Sequence, residues 1–169
     1  MSTKKKGALV FVLLCLFVKV QAQVVSFQII QHDSSQTEVR TSSYIIENAL
    51  FDFFFDKGYV VTNSPTVSTF DEDDDLAVYN RSMIDAKIGR CKWFVVVFAD
   101  YDVSASPNPK GAFLSNIKSV SWTLYDASTG RKLDSGEKIV GPVPDKKNNE
   151  KGISAFTFEL AADLLESLR

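Results

Sequence analysis

A run of five consecutive acidic residues, 71–75, is the densest group of potential metal ligands in the sequence. Asp71, Asp73 and Asp75 alternate along it, as the oxygen ligands of a calcium-binding loop do. Such a loop also needs a glycine at its sixth position and a glutamate at its twelfth, and this chain has neither. We therefore expect Asp74 or Asp75 to cap a helix, with the other acids favoured by its dipole. The three alternating aspartates remain weak metal candidates.

His32 is the only histidine, so a catalytic triad or a typical zinc site would have to use it. Ser34 and Ser35 follow it but lie in no G-x-S-x-G motif, and the chain has no phosphate loop and no G-x-G-x-x-G motif. Asp100 and Asp102 come at the end of an apolar run, and strand ends are where α/β folds place their sites. They are the best catalytic pair, although solvated loop residues fit the same pattern better. We predict no catalytic residue and no cofactor.

The hydrophobic pattern divides the chain into alternating strands and helices. The predicted strands are 24–31, 59–63 and 92–103, and the predicted helices are about 40–57, 76–89 and 153–169. Residues 116–140 predict a hairpin, because Val120, Trp122 and Leu124 alternate with polar residues. Gly58 and Gly130 stand where the first helix ends and where the hairpin turns.

The predicted order is β-α-β-α-β-β-β-α, with two or three antiparallel strands before the last helix. A strand, a helix and a strand joined by short links indicate parallel strands with a right-handed crossover. We therefore predict a single α/β domain over residues 23–169, with a mixed sheet of about five strands and three helices.

The first predicted helix carries more aromatic rings than one buried face requires. At about 100° per residue, the isoleucines at its start share one half of the wheel with Phe53 and Phe54. Tyr44, Phe51 and Phe55 fall together on the opposite side. Either another helix covers this second stripe, which the apolar character of the helix favours, or the stripe binds a partner. Tyr44, Phe51 and Phe55 are thus the candidate partner-binding residues.

The N-terminus has the three parts of an export signal in order. Lys4 to Lys6 form a basic region, residues 7–18 are an apolar run, and Ala22 closes a small-residue cleavage pattern. The run is shorter than the roughly 20 residues of a membrane-spanning helix. We predict that residues 1–22 are a signal peptide cleaved after Ala22, so that the mature protein is periplasmic or secreted and has no stable membrane span.

Removal of that segment changes both the charge and the cysteine content. Its four lysines leave 15 of the 19 basic residues against 21 acidic ones, a net charge of −6. Phosphate neutralisation supplies most non-specific nucleic-acid affinity, so we predict no nucleic-acid partner. Cys91 is then the only cysteine, and a buried thiol is favoured over an intermolecular disulfide.

The element order, the hairpin segment SVSWTLYDASTGRKLDSGEKIVG and the final alanine- and leucine-rich helix resemble a group of bacterial envelope domains. They include the amino-terminal domain of TolB, the curli secretion subunit CsgG, and LpoB, an activator of penicillin-binding proteins. The shared turn is Asp126 with Thr129 and Gly130. Such domains act by contact with other envelope proteins, so the resemblance implies a binding role.

Three functions are therefore compared. The first is an exported, non-enzymatic envelope accessory protein that binds another envelope protein. The second is a carrier or sensor of a small apolar ligand, held between the phenylalanine-rich helix and the sheet. The third is a metal-dependent hydrolase that uses Asp100, Asp102 and the acidic run. The sequence favours the first and does not indicate an oligomeric state.

Overall fold

The computed structural model describes residues 23–168, and the predicted signal peptide, residues 1–22, lies outside this range. The strands are β1 (Val24–His32), β2 (Val60–Asn63), β3 (Val67–Thr69), β4 (Trp93–Tyr101), β5 (Ile117–Asp126) and β6 (Lys132–Ile139). The helices are α1 (Thr41–Asp56), α2 (Glu72–Ile88) and α3 (Glu150–Ser167).

The sheet is mixed and has six strands in the order β2-β1-β4-β5-β6, with β3 pairing with β1 beyond β2. β1 is parallel to β2, β3 and β4, and the β4–β5 and β5–β6 pairs are antiparallel. The predicted single domain with three helices on a mixed sheet is confirmed. The extra strand, β3, comes before α2, where the sequence indicated only a loop, because its three residues are too few to show a period.

Two crossovers run in opposite directions along the sheet. The chain runs from β1 through α1 to β2 on one side of β1, and from β3 through α2 to β4 on the other. α1 and α3 pack together on one face of the sheet and α2 on the other, so β1 and β4 are buried on both faces. This accounts for the nearly unbroken apolar sequence of β4, whereas β1 also buries Ser26, Gln28 and Gln31.

Helix α1 begins after Arg40 and ends where the sequence predicted. Gly58 has a φ of +83°, the left-handed conformation that only glycine adopts without strain at a helix C-terminus. Ile46, Leu50 and Phe54 are completely buried against the sheet. The helix therefore packs through the stripe to which the sequence assigned its isoleucines.

Helix α2 differs from its prediction at its start, and its buried face is small and partly polar. Asp71 is the N-cap and accepts a hydrogen bond from the Asp74 backbone at 2.9 Å, so the prediction of Asp74 or Asp75 as the cap is wrong. The helix contacts the sheet through Ser82, Met83 and a few neighbours, and its large aliphatic residues are exposed. Ser82 donates to the buried side-chain oxygen of Gln28 at 2.6 Å, so the contact between this helix and the sheet includes a buried hydrogen bond.

The hairpin is as predicted, with two strands. Val120, Trp122 and Leu124 face the core, and Gly130 turns the chain with a φ of +72°. Gly136 lies directly against Trp122, since a Cβ there would be 2.8 Å from the indole ring. The absence of a side chain at residue 136 leaves room for the indole ring beside β6.

Candidate functional site

Three polar residues meet where the parallel strands end. His32 is the last residue of β1 and pairs in register with Asp100 of β4, and Asp75 approaches from the first turn of α2. The crossover through α1 leaves β1 at this end of the sheet and the crossover through α2 leaves β3 beside it, in opposite directions, and open α/β sheets bind ligands in the crevice formed at such a point. The fold therefore brings together residues that are far apart in the sequence.

The imidazole of His32 lies between two carboxylates. Its Nδ1 is 2.8 Å from Asp100 Oδ1, and its Nε2 is 3.1 Å from both oxygens of Asp75. Thr69 donates to Asp75 at 2.6 Å and Ser119 donates to Asp100 at 3.2 Å. The cluster links β1, β3, α2, β4 and β5.

The two carboxylates hold the imidazole in its charged form. The pKa of His32 is raised to about 9, chiefly by the hydrogen bond to Asp100. Burial opposes this rise, whereas the hydrogen bond to Asp75 and the negative charge of both carboxylates add to it. The hydrogen bond between His32 and Asp100 also lowers the pKa of Asp100. His32 is therefore an imidazolium at neutral pH, with a proton on each ring nitrogen.

This arrangement is unsuited to general-base or triad chemistry. A general base must be able to accept a proton near the working pH, and both nitrogens of His32 already donate to carboxylates. Ser119 bonds Asp100 and not His32, whereas a serine nucleophile must bond the base. The site is an ion-paired connection between strand ends.

The donor atoms also do not converge on one point. The two carboxylates lie on opposite sides of the ring, so one cation cannot contact the imidazole and both of them. Across residues 23–168, no group of three or more His, Cys, Asp or Glu is placed to hold a metal ion. Of the weak metal candidates, Asp71 caps α2, Asp73 is exposed in its first turn, and Asp75 bonds His32.

The pair Asp100 and Asp102 is separated by the end of β4. Asp100 belongs to the cluster, whereas Asp102 is exposed and accepts two hydrogen bonds from Ser104 in the following loop. Of the two aspartates predicted to form a site at the end of this strand, only Asp100 lies in the cluster. No signal in the sequence indicated the ion pairs of His32, because its partners are 43 and 68 positions away.

A crevice of about 460 Å³ opens beside the cluster. His32, Asp75 and Asp100 line its base, while Lys118 and the exposed ring of Phe70 lie at its sides. Five of the eleven residues that line the crevice are acidic, which does not suit the apolar ligand of the carrier hypothesis.

A second polar network anchors the loop between β1 and α1. The guanidinium of Arg40 donates hydrogen bonds to Asp33 and, at 2.8 Å, to Ser35. The backbone N–H of Arg40 donates to the side-chain oxygen of Gln31 at 2.7 Å. Burial would raise the pKa of Asp33, but the bonds from Arg40 and Ser35 outweigh it and lower that pKa. This buried pair orients the start of α1.

The three aromatic candidates on α1 have different environments. Tyr44 is 47% exposed and Phe55 is 73% exposed. Phe51 is half-buried, and its ring centroid is 6.1 Å from that of Phe27 in the core. Helix α3 covers Phe53 on the adjacent side, with Phe158 at 6.1 Å. Among the described residues, α1 therefore keeps an outward aromatic stripe whose middle ring rests on the core.

Cys91 is a buried thiol, and burial raises its pKa, which opposes formation of the reactive thiolate. Within the described part of the chain, no helix combines the length and the apolar composition that crossing a bilayer requires.

Residues 24–169 match a family model described as "Uncharacterised protein", and the chain belongs to this family. A comparison with curated proteins finds no match.

Solved structures with a similar outline include three bacterial proteins. The PelC dodecamer from Paraburkholderia phytofirmans is 14% identical, with a TM-score of 0.43 over 87% of this chain and 86% of that one. TolB from Acinetobacter baumannii is 13% identical, with a TM-score of 0.45 over 88% of this chain but 28% of TolB. The LpoB C-terminal domain from Salmonella enterica is 15% identical, with a TM-score of 0.42 over 80% of this chain and 94% of that one. TolB and LpoB are among the proteins named from the sequence.

Proposed function

We propose that this chain is an exported, non-enzymatic envelope accessory protein that binds another envelope protein through the outward side of α1. The observation that carries the proposal is the exposure of Tyr44 and Phe55 on a helix whose other side is completely buried. Large exposed aromatic rings are typical of protein-binding surfaces, where they become the residues that contribute most binding energy.

The spacing of the aromatic stripe fits a helical partner. The outward side of α1 has a seam of residues at intervals of four, three and four, namely Tyr44, Asn48, Phe51 and Phe55. A second helix packs along a seam with this spacing. The contact of Phe51 with Phe27 holds the middle of the seam in place. Little side-chain entropy is then lost there when a partner binds.

The charge next to the seam indicates the chemistry of the partner. The exposed residues Asp52 and Asp56 lie on the last two turns of α1, and no basic residue is present in its final turn. We therefore expect an amphipathic helix with an apolar face and basic flanking residues. Opposite charges at the rim would increase the association rate more than the affinity.

The chemistry at the strand ends supports a non-enzymatic role. A histidine with a pKa of about 9 and carboxylates on both nitrogens is not available as a base at neutral pH. The carrier hypothesis requires a pocket between α1 and the sheet. That space is filled by side chains that are completely buried, namely Phe27, Leu50 and Phe54.

The test is site-specific photo-crosslinking in the native host. A photoreactive phenylalanine analogue replaces Phe55 in one strain and Ile88 in another. Ile88 is a matched control, since it is 76% exposed but lies on α2 at the opposite face of the sheet. We expect position 55 to crosslink to one defined envelope protein and position 88 not to do so.

A double substitution then tests the energetic role of the seam. Tyr44→Ser with Phe55→Ser should abolish capture of that partner and leave the melting temperature within a few degrees, because both rings are exposed. Capture that is unchanged in a folded double variant would contradict the proposal, and so would equal crosslinking from positions 55 and 88.

A further inference from the structure

β6 is the terminal strand on one side of the sheet. Within the described part of the chain, β6 pairs only with β5. Just past its end, the Val140 N–H donates to the Lys118 carbonyl at 2.9 Å, so it faces β5. Backbone groups alternate in direction along an antiparallel strand. Ser135, Glu137 and Ile139 therefore direct their N–H and C=O groups away from the sheet.

This alternation restricts how a second copy of β6 can pair with the first. An antiparallel copy forms hydrogen bonds only if outward-directed residues lie opposite outward-directed residues. Along the strand, the two-fold axis must then lie level with one residue, so that this residue is opposite its own copy, and not midway between two residues. Ser135, Gly136 and Glu137 are the possible centres near the middle of the strand.

We propose that two copies of the chain form a dimer by antiparallel pairing of β6 with β6, with the two-fold axis at Gly136. Ser135 of each copy then pairs with Glu137 of the other, which gives four backbone N–H···O bonds by symmetry. Their side chains are exposed and leave the edge open to the second strand.

The side chains of β6 are self-complementary in this register. Leu133 lies opposite Ile139 of the second copy, and these are the large hydrophobic residues that β6 exposes. Asp134 lies opposite Lys138 of the second copy, so opposite charges meet twice across the axis. Directly opposed apolar pairs and opposite charges both stabilise antiparallel strands.

The neighbouring registers lack this complementarity. With the axis at Ser135, Lys132 lies opposite Lys138, and like charges directly across a strand pair are destabilising. If the axis is instead at Glu137, Asp134 is no longer opposite Lys138. Leu133 then lies opposite a residue that follows the end of the second strand, so it has no strand partner. The centre at Gly136 is therefore favoured by charge, apolar contact and the number of paired residues together.

Features that usually protect a sheet edge are compatible with this dimer. Lysines on an edge strand oppose pairing with other chains, but Lys138, which already pairs with Glu159 of α3 at 2.8 Å, would here lie opposite the carboxylate of Asp134. The irregular register between β5 and β6 falls at Leu133, where the new pairing would end. The edge thus excludes strands of a different sequence and accepts its own copy.

The first measurement is the mass of the purified full chain, as processed by its host, by sedimentation equilibrium over a range of concentrations. We expect a dimer that dissociates on dilution. Glu137→Pro removes an outward N–H and should give a folded monomer, since proline is tolerated where an edge-strand N–H faces solvent. A circular dichroism spectrum equal to that of the wild type verifies its fold. A monomeric wild type at all concentrations overturns the proposal.

Cysteine pairing tests the register independently of affinity. Across the proposed axis, residue 135 and residue 137 of the other copy have Cα atoms about 5.5 Å apart, within the range that a disulfide spans. The two copies of residue 135 are roughly 8 Å apart, which is too far. Cys91 is buried and serves as the unreactive background thiol.

Three samples are oxidised: Ser135→Cys alone, Glu137→Cys alone, and an equal mixture of the two. The expected result is a disulfide-linked dimer in the mixture only. A dimer from Ser135→Cys alone would place the axis at Ser135, and one from Glu137→Cys alone would place it at Glu137. Either outcome, or no crosslink in any sample, overturns the proposed pairing. None of these crosslinking outcomes depends on a partner bound to α1. The dimer proposal can therefore be refuted without refuting the proposed function, and the reverse also holds.

Discussion

Replacement of His32 by alanine tests the ion-paired cluster at the strand ends. The substitution removes the cation between Asp75 and Asp100, and it leaves two carboxylates facing each other across the gap. The contacts that connect β1 to α2 and β4 through this ring are lost at the same time. We expect a less stable protein with the same fold.

The magnitude follows from the pKa of the imidazole. A rise from the ordinary value of 6.5 to about 9 corresponds to roughly 3.4 kcal/mol, at 1.36 kcal/mol per unit. The side chain is 35% exposed, so solvent screening reduces this upper bound. We expect a loss of about 1–2 kcal/mol below neutral pH, and thus a fall in melting temperature of roughly 2–8 °C.

The effect should depend on pH with a defined sign. Because the folded state binds the proton of His32 more tightly than the unfolded state, the contribution is fully present below pH 6.5 and is lost as the pH rises through about 9. Urea unfolding of the wild type and His32→Ala at pH 5.5 and pH 10 measures it. The difference in free energy of unfolding between the two proteins should be larger at pH 5.5.

The pKa can also be measured directly. His32 is the only histidine in the chain, so its imidazole proton resonance needs no assignment by mutation. We expect this resonance to titrate near pH 9. A titration near pH 6.5, or the same stability difference at pH 5.5 and pH 10, would refute the ion-pair reasoning and leave His32 as an ordinary surface residue.

Four further substitutions test the packing and can be measured by urea unfolding. Arg40→Ala should cost about 3–5 kcal/mol, because it leaves a buried carboxylate without its cation. Gly136→Ala should cost about 1–3 kcal/mol, since the new Cβ would lie 2.8 Å from the Trp122 ring. Phe54→Ala should cost about 3–5 kcal/mol and Phe55→Ala less than about 0.5 kcal/mol, because the first ring is fully buried and the second is 73% exposed. Equal costs for the two phenylalanines would show that the assignment of their faces is wrong.

Local features of the sequence were sufficient for most of the secondary structure. Helix α1 and the hairpin have clear periods of 3.6 and 2, and Gly58 and Gly130 occupy the positions where positive φ is needed. The acidic run was correctly assigned to a helix start, although the capping residue is Asp71. Boundaries differ because several neighbouring aspartates can each accept the same backbone N–H.

The division of the aromatic rings on α1 could be predicted only in part. The helical wheel correctly separated Phe54 from Phe55, but it placed Phe51 with the outward residues. In the structure Phe51 contacts Phe27, because the buried arc of α1 is wider than half of the wheel. The width of that arc depends on where α3 and the sheet lie, which periodicity within one helix does not encode.

The order and type of the main elements follow from the amino-acid pattern alone, since they depend on contacts within a few residues of one another. The position of His32 between Asp75 and Asp100, and the open edge of β6, emerge only when the chain is folded. Both features depend on which strands pair and in what register. Strand pairing joins residues many positions apart, and no local pattern specifies their partners.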